Sequence, residues 1–260
     1  MTTIPQPPIE ASTSAQAAAN VAQGLMQQAG SGRFDRIVRL LGAASGILSA
    51  ALILFGFMGL VLGSGFLPDT TAPLPEIAAH LAQYPATARV WAGAQLEFVG
   101  FLLLVVFITY LCGVLRRAEG EQGWLSTLAF AAGLMCVFLK VASFAPVYPL
   151  LIHTSQPIDP LLARTLFEMN DAAYDQHMVT LGLMLLPTAI VVIRTAVLPR
   201  WLGALAGLAA VLLLASVVVP ALAQPAVPVF IVWQVGSSIT LMRRVGMLQR
   251  QAFSAPASGG

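Results

Sequence analysis

The sequence has few charged residues: Asp, Glu, Lys and Arg make up 9% of its 260 residues. A soluble globular domain carries about 25% charged residues, so this scarcity excludes an ordinary soluble domain. No run of basic residues is interleaved with aromatic residues, which excludes the pattern typical of nucleic-acid binding. Hydrophobic residues make up 58% of the chain, and this composition is typical of membrane proteins.

Residues that carry metal, redox or hydrolytic chemistry are scarce as well. The 2 cysteines, Cys112 and Cys136, lie inside apolar runs, where we expect small buried side chains and no disulfide. The 3 histidines lie outside the apolar runs or at their outer edge, which excludes haem held between facing helices. Asp175, His177 and Met178 are only a weak metal-binding pattern. Because no HExxH, CxxC, Walker or GxSxG motif occurs, we expect no metal, no cofactor and no enzymatic activity.

A cleaved signal peptide is not predicted either. Residues 1–32 consist largely of Ala, Gln, Ser, Thr and Pro, without a basic start or an apolar centre. We predict a disordered cytoplasmic tail over 1–32, a membrane domain over 33–245 and a second disordered cytoplasmic tail over 246–260.

Long apolar runs are abundant in the sequence. A helix needs about 20 apolar residues to cross a bilayer. Six segments reach or approach this length: 38–63, 92–115, 124–145, 176–197, 201–223 and 226–242. The sixth is short because Pro220, Pro225 and Pro228 interrupt the apolar stretch. The sequence therefore predicts an all-α integral membrane bundle of six transmembrane helices.

The distribution of arginine predicts the orientation of these helices. With the N-terminus inside, ten arginines fall in cytoplasmic segments and only two, Arg89 and Arg164, fall in outer loops. Five spans would place Arg243, Arg244 and Arg250 on the outer side. We therefore predict six spans with both the N-terminus and the C-terminus in the cytoplasm.

Two outer segments are long enough to form structure of their own. In LPEIAAHLAQYP, Ile77, Leu81 and Tyr84 recur at helical spacing, which predicts a short amphipathic helix on the outer surface, in the first outer loop. The segment 161–178 predicts a helix that continues into the fourth span, where Pro187 favours a kink.

Small residues indicate how the helices pack. Gly42 with Gly46, and Gly203 with Gly207, form GxxxG pairs that are typical of close helix contact, within one bundle or between two copies. A stripe of the third span should face the bundle interior because its residues are small or polar: Ala132, Cys136, Lys140 and Ser143.

Polar residues also occur near one end of the sixth span. They are Gln234, Ser237, Ser238 and Thr240. Hydrogen bonds between helices and a permeation path both account for them. Trp233 lies in the middle of the same span, away from either membrane interface, and we expect it to pack between helices.

The sharpest chemical feature is a carboxylate inside an apolar run. Glu97 lies about 28 Å from the inner boundary, and Lys140 of the next span lies about 24 Å from it, at a rise of about 1.5 Å per residue. The loop between the two spans is short, so the spans are antiparallel neighbours. We therefore expect Glu97 and Lys140 to form an ion pair in the outer leaflet, because a lone charge in a membrane is costly and usually faces a partner.

The outer end of the fourth helix adds further polar side chains to this region. The candidate binding cluster is Glu97, Lys140, Asn170, Asp171, Tyr174, Asp175 and His177. Alternatives stay open. Lys140 pairs with Asp171 or Asp175, or its ammonium extends to the headgroups. Glu97 lies at the interface if the second helix starts later, and Asp171, Asp175 and His177 are simply solvated.

One stretch carries a resemblance to known proteins. LPRWLGALAGLAAVLLL, at 198–214, resembles an element of uncharacterised bacterial multi-pass membrane proteins, domains of unknown function in which a Pro-Arg-Trp-Leu-Gly turn joins two late helices on the cytoplasmic side. LPEIAAHLAQYP and RRAEG are similar to segments of the same proteins. The resemblance implies a bacterial cytoplasmic (inner) membrane and this topology, and it transfers no catalytic residue. The long Ala- and Gln-rich start departs from the usual short one.

Three kinds of function are compatible with these observations. We expect a non-catalytic accessory, scaffold or binding protein that contacts membrane lipid, another membrane protein or a second copy through its Gly-rich faces. The alternative is a small-solute or ion transporter or channel, with the polar cluster at its outer mouth. An intramembrane enzyme is the least favoured because the motifs above are missing.

Overall fold

The computed structural model describes residues 34–60, 71–83, 87–152 and 159–254, with the backbone alone for 149–152 and 247–254. Within these ranges the chain is helical, without a strand, which confirms the all-α class. The helices are α1 (Phe34–Leu60), α2 (Leu74–Gln83), α3 (Ala88–Glu119), α4 (Trp124–Ile152), α5 (Pro160–Thr195), α6 (Arg200–Ala215) and α7 (Ala223–Ser254), with a 3₁₀ turn at Pro220–Leu222. The predicted tail 1–32, the end of the first predicted span and residues 255–260 lie outside the described residues.

Five helical segments are long and apolar enough to cross a membrane. They are α1, α3, α4, α5 and the segment Pro220–Gly246, which contains most of α7. The sequence predicted six spans, of which the sixth is short. The short helix is instead α6, which lies in the fifth predicted span, 201–223, and has 16 residues. At about 1.5 Å per residue, α6 is about 24 Å long, against about 30 Å for the hydrocarbon core. The six-span count is therefore not confirmed by length and composition.

The last helix is longer than the sequence predicted. The prediction ended the sixth span at residue 242, whereas α7 continues to Ser254 and includes the first part of the segment 246–260 assigned to a tail. Pro225 does not interrupt α7, because it lies in the first turn, where a backbone N–H has no intrahelical partner. Pro228 lies inside α7 without ending the helix.

The contacts divide the chain into two units, the first ending at Leu41 and the second beginning at Gly42. In the first unit the structure describes 34–41, the start of α1, and these side chains are mostly exposed. The second unit contains the packed bundle, in which α3 contacts α4, α4 contacts α5, α5 contacts α6, and α6 contacts α7.

The turn between α3 and α4 is closed by one carboxylate. Glu119 accepts hydrogen bonds from the backbone N–H groups of Leu125 and Ser126, at 3.0 and 2.9 Å, and from the Ser126 hydroxyl at 2.6 Å. These bonds satisfy free N–H groups at the start of α4, where a negative charge is also favoured by the helix dipole. Gly120 and Gly123 have φ angles of 90° and 49°, which L side chains rarely adopt. The short loop therefore returns the chain sharply and makes α3 and α4 antiparallel neighbours.

Small residues let α1 approach α3 closely. A Cβ atom built on Gly56 would lie 2.5 Å from the Glu97 backbone nitrogen and 2.8 Å from the Gly93 carbonyl oxygen. A Cβ on Gly100 would lie 2.9 Å from the Ile53 nitrogen. The backbones of α1 and α3 are thus in direct contact, as expected for helices that associate in lipid through glycine.

The glycine pairs picked out in the sequence are packed within the chain. A Cβ on Gly42 would lie 2.7 Å from the ring of Tyr110, and one on Gly203 would lie 2.8 Å from the Ile193 side chain. Gly46 is equally close to Phe107. The stripe on α4 also faces inward as predicted, since Ala132, Cys136 and Ser143 are buried and Lys140 is half-buried.

The amphipathic helix predicted in the first outer loop is present as α2, but its apolar side packs on protein. Its residue Ile77 is buried against Ala163 and Phe167, near the start of α5. Tyr84, the third apolar position of the prediction, lies outside the described residues. α5 supplies this surface because it has 36 residues, about 54 Å, and so is much longer than a bilayer core requires.

Candidate functional site

The centre of the candidate site is an ion pair between α3 and α4. The Lys140 Nζ lies 3.3 Å from the Glu97 Oε1. The Lys140 side chain is 14% exposed and the Glu97 side chain 5% exposed. Both partners are therefore largely removed from solvent, and each compensates the charge of the other.

The local structure explains why these two residues meet. Glu119 holds the start of α4 beside the end of α3, and both helices continue without interruption past Glu97 and Lys140. Lys140 is thereby brought level with Glu97 in the antiparallel pair. On its other side, α1 covers the Glu97 backbone because Gly56 leaves room for it.

Three aromatic rings surround the ammonium group of Lys140. Its Nζ lies 4.9 Å from the ring centre of Phe144, 5.2 Å from that of Tyr174 and 5.9 Å from that of Phe101. Aromatic faces attract cations, with about 0.5–1 kcal/mol at exposed sites and about 2 kcal/mol where water is excluded. The rings come from α3, α4 and α5, so the charge of Lys140 links all three helices.

A second contact joins α4 to α5, one turn from Lys140. The His177 Nδ1 lies 2.8 Å from the backbone oxygen of Cys136 and 3.2 Å from its Sγ. A carbonyl oxygen only accepts, so Nδ1 carries the hydrogen and donates it, which fixes the tautomer of the imidazole. His177 and Cys136 are both buried, and the ring of Phe101 meets that of His177 edge-on at 6.0 Å. This contact fixes the position of α5 against α4.

The remaining predicted residues are distributed differently. Tyr174 belongs to the site, because its ring faces the Lys140 ammonium. Asp171 and Asp175 are exposed on α5, and Asn170 donates to the Asp171 carboxylate at 3.3 Å. In the structure Lys140 therefore pairs with Glu97, and not with Asp171 or Asp175 as the sequence alternatives proposed.

Three residues of the site were missed in the sequence as contributors to it. Phe101 follows Glu97 by four residues, and Phe144 follows Lys140 by four, so each lies one helical turn from a charged residue and on the same face. Cys136 lies one turn before Lys140 on the stripe already predicted to face inward. The signal was therefore the i, i+4 spacing around each charge.

The polar groups of the site are engaged with one another, which limits its chemistry. The Glu97 carboxylate pairs with Lys140, while the His177 imidazole bonds to Cys136. Across the described ranges no group of three or more His, Cys, Asp or Glu side chains is arranged to hold a metal ion. The arrangement is one of charge neutralisation and helix positioning.

A separate pocket lies where the α3–α4 turn meets the end of α5. Its volume is about 480 Å³. The residues that line it are Glu119, Glu121, Gln122, Trp124, Leu125, Val191, Arg194 and Thr195. The lining combines carboxylates, one guanidinium and an exposed indole with apolar side chains, which is the mixture expected where helix ends meet lipid headgroups.

Fold and site together define an all-α protein with five helical segments long and apolar enough to cross a membrane, and with a buried ion pair between neighbouring helices. The chain belongs to DUF4386, a domain of unknown function, whose family model matches residues 44–242. This confirms the resemblance to an uncharacterised domain family. Comparisons with curated proteins and with solved structures gave no match.

Proposed function

We propose that this protein is a non-catalytic accessory, scaffold or binding protein of the membrane. The observation that carries the proposal is the closed state of the Glu97–Lys140 pair, which aromatic rings and the α1 backbone cover on several sides. A pathway for solutes needs polar groups that face an aqueous cavity, whereas these groups face each other. The pair supports a structural role, in which opposite charges set the register of α3 against α4.

The length of α6 and the distribution of arginine support six membrane spans, with both termini in the cytoplasm of a bacterial cell. α6 is about 24 Å long, and the exposed apolar residues Val217, Val218 and Val219 follow it after Ser216. A slightly short helix crosses a bilayer by local thinning at a modest cost in free energy. The arginine distribution in the sequence favours six spans over five.

Membrane lipid is the partner best supported by the surface. Large apolar side chains are exposed around the bundle, with Phe138 and Val211 among the most exposed. The pocket beside Arg194 and Trp124 offers a guanidinium for a phosphate and an indole for the interface. Self-association through glycine has less support, because the glycine pairs contact neighbouring helices within the chain.

Transport is the alternative, because ionisable residues within membrane spans often mark ion or substrate pathways. The two functions are separated by the double variant Glu97→Leu/Lys140→Leu, which removes both charges and leaves none unpaired. For a scaffold we expect the variant to fold and to retain the lipid or subunit that native mass spectrometry detects on the unmodified protein in mild detergent.

For a transporter, the same variant loses flux. Proteoliposomes with a pH-sensitive dye and a potential-sensitive dye report proton and ion movement for the unmodified protein and the variant. Flux by the unmodified protein that disappears in the folded double variant would overturn the scaffold proposal. The control is Arg164→Gln, which removes an exposed charge on α5 and should leave both measurements unchanged.

A further inference from the structure

Four buried polar atoms on α7 make no hydrogen bond within the part of the chain that the structure describes. They are the Trp233 Nε1, the Gln234 Oε1, the Ser237 Oγ and the Ser238 Oγ. All four side chains are 0% exposed. Buried polar atoms without a protein partner are uncommon, and ordered water binds to such atoms inside proteins.

The four residues face one place in the bundle. Positions i, i+1, i+4 and i+5 occupy one side of a helix. On that side the Gln234 amide donates to the Gly46 carbonyl at 2.9 Å and to the Ser49 hydroxyl at 3.2 Å, and both of these groups lie on α1. The ring of Trp233 meets that of Phe107, on α3, at 6.2 Å. We name this place the α1–α3–α7 junction, and its residues are Gly46, Ser49, Phe107, Trp233, Gln234, Ser237 and Ser238.

Two of the four atoms, the Trp233 Nε1 and the Gln234 Oε1, are held in place and cannot turn to a partner on their own helix. A serine hydroxyl in a helix can turn to a backbone carbonyl of the preceding turn, as Thr240 does with Gly236 at 2.8 Å. The Gln234 amide is held by its two bonds to α1, which leaves its oxygen fixed. The indole of Trp233 is held between Phe107 and Phe230. One fixed donor and one fixed acceptor thus remain to be matched.

The chemistry of these atoms selects the ligand. The Trp233 N–H only donates and the Gln234 carbonyl only accepts, so the ligand must both accept and donate. A metal cation does not accept a hydrogen bond, and no carboxylate belongs to the junction as defined. A large molecule does not fit beside Gly46, where even an added Cβ would lie 2.6 Å from the Phe107 ring. We propose that the α1–α3–α7 junction is a binding site for water, held between Trp233, Gln234 and the two serine hydroxyls.

This site stands apart from the proposed function, because none of its residues belongs to the Glu97–Lys140 cluster. Bound water of this kind typically makes about three hydrogen bonds to buried polar groups and is costly to remove. It would complete a polar contact between α1 and α7 in surroundings where lipid offers no hydrogen bonds. The polar residues of α7 then bind α1 through water as well as directly.

Radiolytic hydroxyl labelling of the full chain in nanodiscs, with readout by mass spectrometry, tests the site. Radicals formed from a bound water oxidise the side chain beside it even when that side chain is buried. We expect Trp233 to be oxidised several-fold faster than Met184, which is buried at 1% among apolar side chains and serves as the dry control. Equal, negligible oxidation of Trp233 and Met184 would overturn the proposal.

Two variants establish that the radicals come from the bound molecule. Gln234→Leu removes the fixed acceptor, and Ser237→Ala/Ser238→Ala removes the hydroxyls while changing the packing little. Both should reduce the oxidation of Trp233 several-fold, whereas Thr240→Val, one turn further on, should not. If the folded serine variant labels Trp233 as fast as the unmodified protein, the water does not occupy the junction. The serine variant decides the question if Gln234→Leu fails to fold.

Discussion

Lys140 is the only lysine in the chain, and its position shows how a single charge is accommodated inside an apolar bundle. One carboxylate neutralises it at 3.3 Å, and three aromatic rings approach its ammonium group within 6 Å. Removing one partner of a buried pair leaves an uncompensated charge, while replacing both with apolar groups often costs little. The stability of the pair therefore depends on both partners being present.

The prediction at the residue scale compares a single variant of this pair with the double variant. Lys140→Met should lower the free energy of unfolding by about 3 kcal/mol, because Glu97 is left buried without its partner. The double variant Glu97→Met/Lys140→Met should recover most of that loss. Thermal unfolding in detergent, followed by circular dichroism, measures the midpoints.

The exposed pair Arg164–Glu168 provides the matched control for this comparison. Its atoms are 3.0 Å apart, but the side chains are 34% and 51% exposed. Arg164→Gln should therefore change the free energy of unfolding by less than about 1 kcal/mol. A double variant no more stable than Lys140→Met would contradict the role assigned to the buried pair.

At the scale of the helices, the close contact between α1 and α3 determines how the site is closed. Glycine on both helices brings their backbones together beside Glu97, and this contact closes the site on the side of α1. In lipid, apolar burial does not drive helices together, so dispersion contacts at such small residues carry much of the association. A side chain at Gly56 would separate the two helices.

Gly56→Ala tests this contact against Gly113→Ala. The added methyl group at Gly56 would lie 2.5 Å from the backbone of Glu97, so α1 must move, and we expect a loss of about 1–3 kcal/mol. A Cβ at Gly113 meets no atom within 4 Å, and alanine there should be neutral or stabilising by up to about 1 kcal/mol. The same unfolding measurement applies to both variants. Equal midpoints for the two would show that α1 does not depend on close approach at Gly56.

At the scale of the whole molecule, the number of membrane spans depends on α6. If α6 crosses the bilayer, the turn that follows it lies outside, and if it does not, the turn lies on the same side as the α3–α4 loop. Gln224, at the start of α7 after this turn, is polar and exposed and therefore suited to labelling. The native cysteines, Cys112 and Cys136, are buried and should stay unlabelled.

Substituted-cysteine labelling on intact cells decides the topology. We expect Gln224→Cys to react with a membrane-impermeant maleimide added outside, because the proposed six spans place it on the outer side. Glu121→Cys, in the α3–α4 loop, should react only after the cells are opened. Protection of Gln224→Cys in intact cells, with labelling after lysis, would reduce the number of spans to five.

The partners within the bundle were only partly predictable from the sequence. The antiparallel α3–α4 arrangement and the inward stripe on α4 followed from a short loop and from helical spacing, which are local properties. That Lys140 selects Glu97 over Asp171 and Asp175 did not follow, because the choice depends on how α5 rotates about its own axis. That rotation is set by the hydrogen bond of His177 to Cys136 and by the packing of Tyr174.

The sequence by itself determined that the chain is helical and suited to a membrane, since apolar run length and composition reflect the solvent that each segment requires. It also indicated which residues are too polar for lipid and therefore need partners. Only the tertiary structure decided which residues those partners are, that α2 packs on α5, and that α6 is the short helix. These properties depend on contacts between segments far apart in the chain, and the spacing within any one segment does not encode them.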